Sequence, residues 1–252
     1  MLDVDELTVS FGGVRAVSDV SFSLGEGATV GIIGPNGAGK TTLVNALTGM
    51  VEASGSVSVD GEPLRLGRPG PAYHAGIVRT YQTPRTFAGL SCLENVIVGM
   101  GNRARTGLSS AWFRRPSMLE MERGRWARAE EILRGVNLGS VAETDAGELS
   151  YGRQRLLELG RAIAAEPRLI LLDEPAAGLN GPETDALADL ILDLSTRGVG
   201  LLVIEHKLDF VTRVCPEVIV LDLGRAIAAG PTQEVFRDPQ VMDAYLGTSA
   251  DA

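Results

Sequence analysis

The feature that most restricts this chain is the run Gly34-Pro35-Asn36-Gly37-Ala38-Gly39-Lys40-Thr41-Thr42, which follows the apolar segment 28–33 and opens a helical pattern through Leu47. Closely spaced glycines allow a curled backbone that other residues resist, and the helix start behind them leaves main-chain N–H groups pointing into the curl. A strand, a glycine loop and a helix in that order form a cradle for an anion, and the helix dipole adds favourable potential at the same point. The spacing is a full Walker A pattern, more specific than a glycine-rich turn because a lysine and a hydroxyl occupy set positions. Lys40 is placed to neutralise β and γ phosphate charge, Thr41 to offer a hydroxyl to Mg²⁺, and Thr42 to donate to a further phosphate. All nine residues from Gly34 to Thr42 are therefore expected to line a site for a nucleoside triphosphate and its metal.

A second signal lies far along the chain. Leu169-Ile170-Leu171-Leu172 ends in Asp173-Glu174, an apolar strand closed by two adjacent acids. At the carboxyl edge of a parallel sheet that pair approaches the loop of the first βα unit. Asp173 is suited to hold Mg²⁺, and Glu174 to polarise a water for in-line attack on the γ phosphate. Without the glycine loop, the same pair would read as solvated surface acids.

The rest of the sequence supplies a matching frame. Residues 2–24 alternate as strands do through Leu2, Val4, Leu7 and Val9 and again through Val17, Val20, Phe22 and Leu24, with glycines at 12, 13 and 25 as punctuation. Ser56-Val57-Ser58-Val59 before Asp60-Gly61 predicts an edge hairpin, and residues 76–81 return the chain to a sheet. Ser91 with Glu94 three residues on predicts a capping box opening a helix through Val98, and residues 118–133 are helical in pattern and strongly charged. Strand-like 169–172, 200–204 and 218–221 then alternate with helix-like 182–194 and 207–214, the βαβ rhythm of an open parallel sheet. The expected architecture is an α/β P-loop (RecA-like) core in two parts, residues 1–88 with an antiparallel β subdomain and residues 163–252, interrupted by a helical subdomain at 89–162.

Composition narrows the class of function. With 44% hydrophobic and 22% charged residues over 252 positions, the chain reads as globular rather than disordered or fibrous. No apolar run approaches the roughly 20 residues of a membrane helix, and the acidic start, Met1-Leu2-Asp3-Val4-Asp5-Glu6, is unlike a signal peptide. A cytosolic location is expected. Cys92 and Cys215 form neither a metal pattern nor a disulfide framework, and a net charge of −9 argues against nucleic-acid binding. The charge is uneven, since residues 101–128 hold seven arginines against two glutamates, a net of +5. Two readings stand for that segment, a solvated helical face or a contact with an acidic partner or lipid headgroups. Lysine, by contrast, occurs only at Lys40 and Lys207.

Taken together, these residues resemble the nucleotide-binding subunit of an ABC transporter. Leu149-Ser150-Tyr151-Gly152-Arg153 looks like that family's LSGGQ signature, with Tyr151 and Arg153 standing in place of a glycine and the glutamine. Gln82 occupies the position of the Q-loop, Asn180 falls at the D-loop where an aspartate is usual, and His206 follows an apolar strand as the switch histidine. Phe11 resembles the aromatic residue that stacks on adenine. The stretches Leu149–Gly152, Glu174–Asn180 and Ile204–His206, and the ending Tyr245-Leu246-Gly247, resemble the LivG-type ATPases of branched-chain amino acid importers.

The resemblance implies Mg-dependent ATP hydrolysis with Glu174, His206, Gln82 and Lys40 at the reaction. It implies nucleotide contacts from Phe11, the loop, Ser150, Tyr151, Gly152 and Asn180, and metal contacts from Thr41, Gln82 and Asp173. It further implies a second ATPase subunit, identical or LivF-like, joined head to tail so that each ATP lies between one glycine loop and the opposite signature. Permease subunits in the membrane, an external solute-binding protein acting through them, and a peripheral place on the cytoplasmic face complete the expectation. ATPases of urea or amide importers, of lipopolysaccharide exporters, or a soluble regulatory ATP-binding module are the alternatives.

Overall fold

A computed structural model describes residues 1–101 and 115–246. The chain forms two compact units. The first comprises Met1–Gln82, Arg168–Ala177 and the described residues from Gly181 onward, and the second the described residues of Thr83–Pro167 with Gly178–Asn180.

The first unit contains two sheets. Strands β1 (Leu2–Phe11), β2 (Val14–Leu24), β4 (Ser54–Val59) and β5 (Glu62–Pro63) form an antiparallel sheet in the order β2-β1-β4-β5. Strands β3 (Thr29–Ile33), β6 (Ile77–Arg79), β7 (Leu169–Asp173), β8 (Gly200–Ile204), β9 (Glu217–Asp222) and β10 (Arg225–Pro231) form the other, ordered β10-β9-β3-β8-β7-β6. This sheet is parallel except at β10. Every residue of β3, β7 and β8 is buried, as strands covered on both faces require, which is why these runs are continuously apolar rather than alternating. Leu2, Val4, Leu7, Val17 and Val57 of the antiparallel sheet share one core with Ile32, Leu43, Leu171, Leu202 and Leu221. Each such side chain withdrawn from water contributes about 1.5–3 kcal/mol.

Helix α1 (Lys40–Leu47) follows β3 directly, and α6 (Gly181–Thr196) and α7 (Leu208–Val214) supply crossovers. The turn predicted at Asp60-Gly61 is present, with both residues at positive φ (53° and 79°) as a two-residue hairpin loop demands. The hairpin closes the edge of the sheet as expected, with the two-residue β5 outermost and β4 beside β1.

Helices α3 (Cys92–Gly99), α4 (Arg115–Gly135) and α5 (Tyr151–Ala164) build the second unit. The capping box forms as predicted: Ser91 Oγ accepts from Glu94 N at 3.1 Å and Glu94 Oε2 accepts from Ser91 N at 2.8 Å. Asn95, fully buried, is saturated, its amide donating to the carbonyls of Phe87, Leu90 and Ser91 while its oxygen accepts from Phe87 N at 2.8 Å. Residues 102–114 of the arginine-rich segment lie outside the described residues, whereas Arg125 donates to the carbonyls of Ile97 and Gly101 and Arg128 pairs with Glu131 at 2.7 Å. Elements the sequence reading did not anticipate are α2 (Pro69–His74), β10, α8 (Thr232–Val235) and α9 (Pro239–Leu246).

Candidate functional site

Parallel pairing brings the carboxyl ends of β3, β7 and β8 to one edge of the sheet. Ile32 is level with Ile204, and Ile204 with Asp173, so Glu174 and Glu205 leave their strands level with Ile33, one residue before Gly34. The strand order also switches at β3, with β8 on one side and β9 on the other, the place where open α/β sheets bind ligands.

The glycine loop is set by sterics. Gly34 has φ 144°, and a Cβ there would lie 2.0 Å from the Leu221 carbonyl oxygen; at Gly39, with φ 98°, it would lie 2.4 Å from that of Ala16. Gly37 also has positive φ (81°) but faces open space. Gly39 is the N-cap of α1 and no side chain caps the helix, so its first-turn amides keep their capacity for an anion. Lys40 is buried, and its Nζ donates to the carbonyls of Gly34 and Pro35, both at 2.7 Å. Burial lowers its pKa, while the charges of Glu174 and Asp173 oppose that shift. Pro35 O also accepts from Ala38 N, closing the turn around Asn36; Asn36 and Thr41 are exposed and Thr42 half-buried.

At the end of β7 the two acids occupy different environments. Asp173 is buried, and its Oδ2 accepts from Arg79 Nη2 at 2.7 Å; Arg79 also donates to Asn45 Oδ1 and lies 5.4 Å from the centre of the Tyr81 ring. Glu174 turns out of the strand with φ 47°, its amide still tied to Ile204 O at 2.9 Å. One carboxylate oxygen accepts from Gln82 Nε2 at 2.8 Å, and the other lies 4.0 Å from His206 Nδ1. Gln82, Glu174 and His206, three residues widely separated in sequence, thus meet.

Four neighbours of these groups were given no role by sequence. Arg79 holds Asp173 from β6, and Asn45 of α1 accepts from the same guanidinium. Glu205, completely buried, accepts hydrogen bonds from three backbone amides, and Lys207 Nζ donates to Ala176 O at 2.6 Å. The lysine scarcity was the one available hint, since both lysines end on backbone carbonyls at this edge.

The signature residues belong to the second unit. Ser150 is the N-cap of α5, its Oγ accepting from Arg153 N at 3.4 Å, with Tyr151 at the surface and Gly152 buried in the first turn. Arg155 Nη2 donates to the Tyr151 hydroxyl at 3.4 Å, and the Tyr151 ring leaves no room for a Cβ on Gly178, which would approach it to 2.9 Å. Asn180 is exposed. Phe11, in the first unit, is half-exposed at the end of β1 beside the Gly12-Gly13 turn. Of the ending Tyr245-Leu246-Gly247, Gly247 lies outside the described residues.

Residues 17–177 match the family model of the ABC transporter, and residues 227–251 a second model described as a branched-chain amino acid ATP-binding cassette transporter. The chain is 40% identical to the high-affinity branched-chain amino acid transport ATP-binding protein BraF of Pseudomonas aeruginosa over 98% of both proteins. It is 36% identical to the LivG protein of the same description from Escherichia coli, again over 98% of both. Among solved structures, an ATP-binding cassette of an ABC transporter in its ADP conformation superposes with a TM-score of 0.84 at 34% identity, covering 98% of each chain. With this agreement in sequence along the whole chain and in fold, the protein belongs to the ABC transporter family, as one of its ATP-hydrolysing, ATP-binding proteins.

Proposed function

We propose that this chain is the ATPase of an importer for branched-chain amino acids, acting in pairs on the cytoplasmic side of membrane permease subunits that receive solute from an external binding protein. The observation that carries the catalytic part is the Glu174 carboxylate held between the Gln82 amide, at 2.8 Å, and the His206 ring, at 4.0 Å, at the sheet edge that also bears the glycine loop. The choice of solute is supported by the described relatives and by the match over residues 227–251. No helix among the described residues is long and apolar enough to cross a membrane, so coupling to transport passes through partner subunits.

In this reading the amides from Gly37 to Thr42 and the Lys40 ammonium receive the phosphates, the lysine exchanging its two loop carbonyls for phosphate oxygens. Phe11 stacks on the adenine. Glu174 accepts a proton from the attacking water, Gln82 holds that carboxylate in place, and His206 contacts the terminal phosphate. Ser150, Tyr151, Gly152 and Asn180 serve the nucleotide of the paired subunit, through the start of α5. Urea, amide or lipopolysaccharide transport would use the same chemistry with a different permease.

A divalent metal fits this donor set. Thr41, Asp173 and Gln82 offer oxygen atoms only, and no cluster of three or more His, Cys, Asp or Glu capable of caging a metal exists among the described residues. That is the pattern for Mg²⁺, which takes few protein ligands and completes its shell with phosphates and water. When bound, the ion neutralises charge on the β and γ phosphates.

The direct test is Glu174→Gln. It should keep ATP affinity while turnover falls by about 10²–10⁴-fold, the usual contribution of a positioned general base. Wild-type turnover in that variant would end the assignment. For the solute, the complex purified from membranes with its permease and binding protein should take up leucine in exchange for ATP hydrolysed; uptake of urea or amides with no response to leucine would replace the proposed cargo.

A further inference from the structure

Glu205 has no part in the reaction just derived, yet it is the most completely enclosed carboxylate near the site, at 0% exposure. Its Oε2 accepts from Ala176 N at 3.1 Å, and its Oε1 from His206 N at 3.0 Å and Lys207 N at 3.2 Å. The same Oε1 lies 3.4 Å from His206 Nδ1, nearer than Glu174 does. The next residue but one, Lys207, reaches back and donates Nζ to Ala176 O at 2.6 Å. Both polar groups of Ala176, two residues beyond Glu174, are therefore gripped by side chains from the turn that carries His206.

The ladder between β7 and β8 ends where Glu174 N donates to Ile204 O. Past that point the two chains separate, and backbone pairing no longer fixes the distance between Glu174 and His206. Glu205 and Lys207 continue the connection with side chains. A buried carboxylate is tolerated only when its lone pairs are taken up by donors, and the amides of Ala176, His206 and Lys207 supply them. An amide in its place would turn an NH₂ toward one of those N–H groups.

We infer that Glu205, together with Lys207, is a positioning clamp that holds the Glu174 turn against His206 and orients the histidine ring through Nδ1. The catalytic consequence rests on the ATPase reading above; the clamp itself does not. Reacting groups displaced by an ångström lose up to about 10²-fold in rate, so a clamp at this place acts on turnover more than on binding.

The chain contains only two histidines, His74 and His206, which makes ring-nitrogen spectroscopy decisive. His74 Nδ1 lies 2.7 Å from Gly70 O, an acceptor, and serves as an internal standard for an Nδ1-protonated ring. In the full chain labelled with ¹⁵N-histidine, the neutral His206 ring should carry its proton on Nδ1, and Glu205→Gln should shift the His206 signals while those of His74 stay. A neutral His206 protonated on Nε2 in the wild type, or a spectrum indifferent to Glu205→Gln, overturns the clamp without reference to any variant's activity.

Kinetics provide the second arm. Glu205→Gln should lower kcat by about tenfold or more with ATP affinity within about twofold, and Lys207→Met should act in the same direction more weakly. In the double variant with His206→Ala, Glu205→Gln should add less than about twofold to the loss, because both changes break one unit. Fully multiplicative losses would show that Glu205 acts independently of His206 and would overturn the proposal. Absence of turnover in the wild-type chain would strike the ATPase reading instead, while the histidine spectrum still decides the clamp.

Discussion

The glycine loop and the β7–β8 edge lie side by side, yet they are built by opposite means. The loop has its shape because three residues without a Cβ sit at positive φ, two of them where any Cβ would collide with a carbonyl oxygen. The edge has its shape because side chains distant in sequence bond across it: Arg79 to Asp173, Gln82 to Glu174, and Glu205 and Lys207 to Ala176. A steric device tolerates no enlargement and is indifferent to charge. A hydrogen-bonded device tolerates changes of shape but not the removal of one partner. Substitutions in the two regions should therefore fail in different ways.

The largest effect is expected at Gly34. A Cβ 2.0 Å from Leu221 O demands movement of backbone between β3 and β9, a cost of more than about 4 kcal/mol, in the range where single substitutions threaten folding. Gly34→Ala should give little soluble folded protein, and a cooperative melt close to wild type would break the claim that this loop is sterically set. Next comes Arg79→Met, which strands the buried Asp173 carboxylate without its guanidinium partner. Removing one member of a buried pair costs about 3–5 kcal/mol, and urea unfolding should show it. Asp173→Asn in the same background should recover part of that loss by removing the uncompensated charge. No recovery would mean the pair is not coupled.

The same contrast explains what could be read in advance. The loop is specified by contiguous residues, so Gly34 to Thr42 were legible in the sequence, as was the capping box of Ser91 and Glu94, whose partners are three residues apart. Asp173 and Glu174 were legible as an apolar run ending in acids. Arg79 was not, because its partners Asn45 and Asp173 lie 34 and 94 residues away, and an arginine at the end of a short strand looks like any surface cation. Glu205 was hidden by its type, since glutamate is rarely enclosed and its partners are backbone amides that leave no mark in sequence. The β10 strand, Arg-Ala-Ile-Ala-Ala-Gly-Pro, was missed because it pairs along one side only and buries none of its residues fully, so no alternation was imposed on it.

Lys40→Met tests the one charged group inside the steric region. Loss of the ammonium should weaken ATP binding at least about tenfold, or about 1.4 kcal/mol, in an equilibrium titration. Stability should respond in the opposite sense with pH. Burial holds the folded pKa of Lys40 below the ordinary 10.5, so the penalty of the buried ammonium is fully present below the folded value and is relieved as pH rises toward 10.5. Wild-type stability should therefore gain on that of Lys40→Met across this window, and parallel pH profiles would remove the desolvation argument.

The smallest effect separates shape from occupancy. Gly37 shares positive φ with Gly34 and Gly39, at 81°, but a methyl group there meets nothing within 4 Å. Gly37→Ala should cost only the backbone strain, about 1 kcal/mol, which for a chain of this size lowers Tm by about 2–4 °C. If phosphate fills the space in front of the loop, the same methyl group stands in its way, and ATP affinity should fall by more than the loss of folding stability accounts for. A variant that melts a few degrees early yet binds ATP as the wild type does would place the phosphates elsewhere, and the open position at Gly37 would then be a feature of the turn alone.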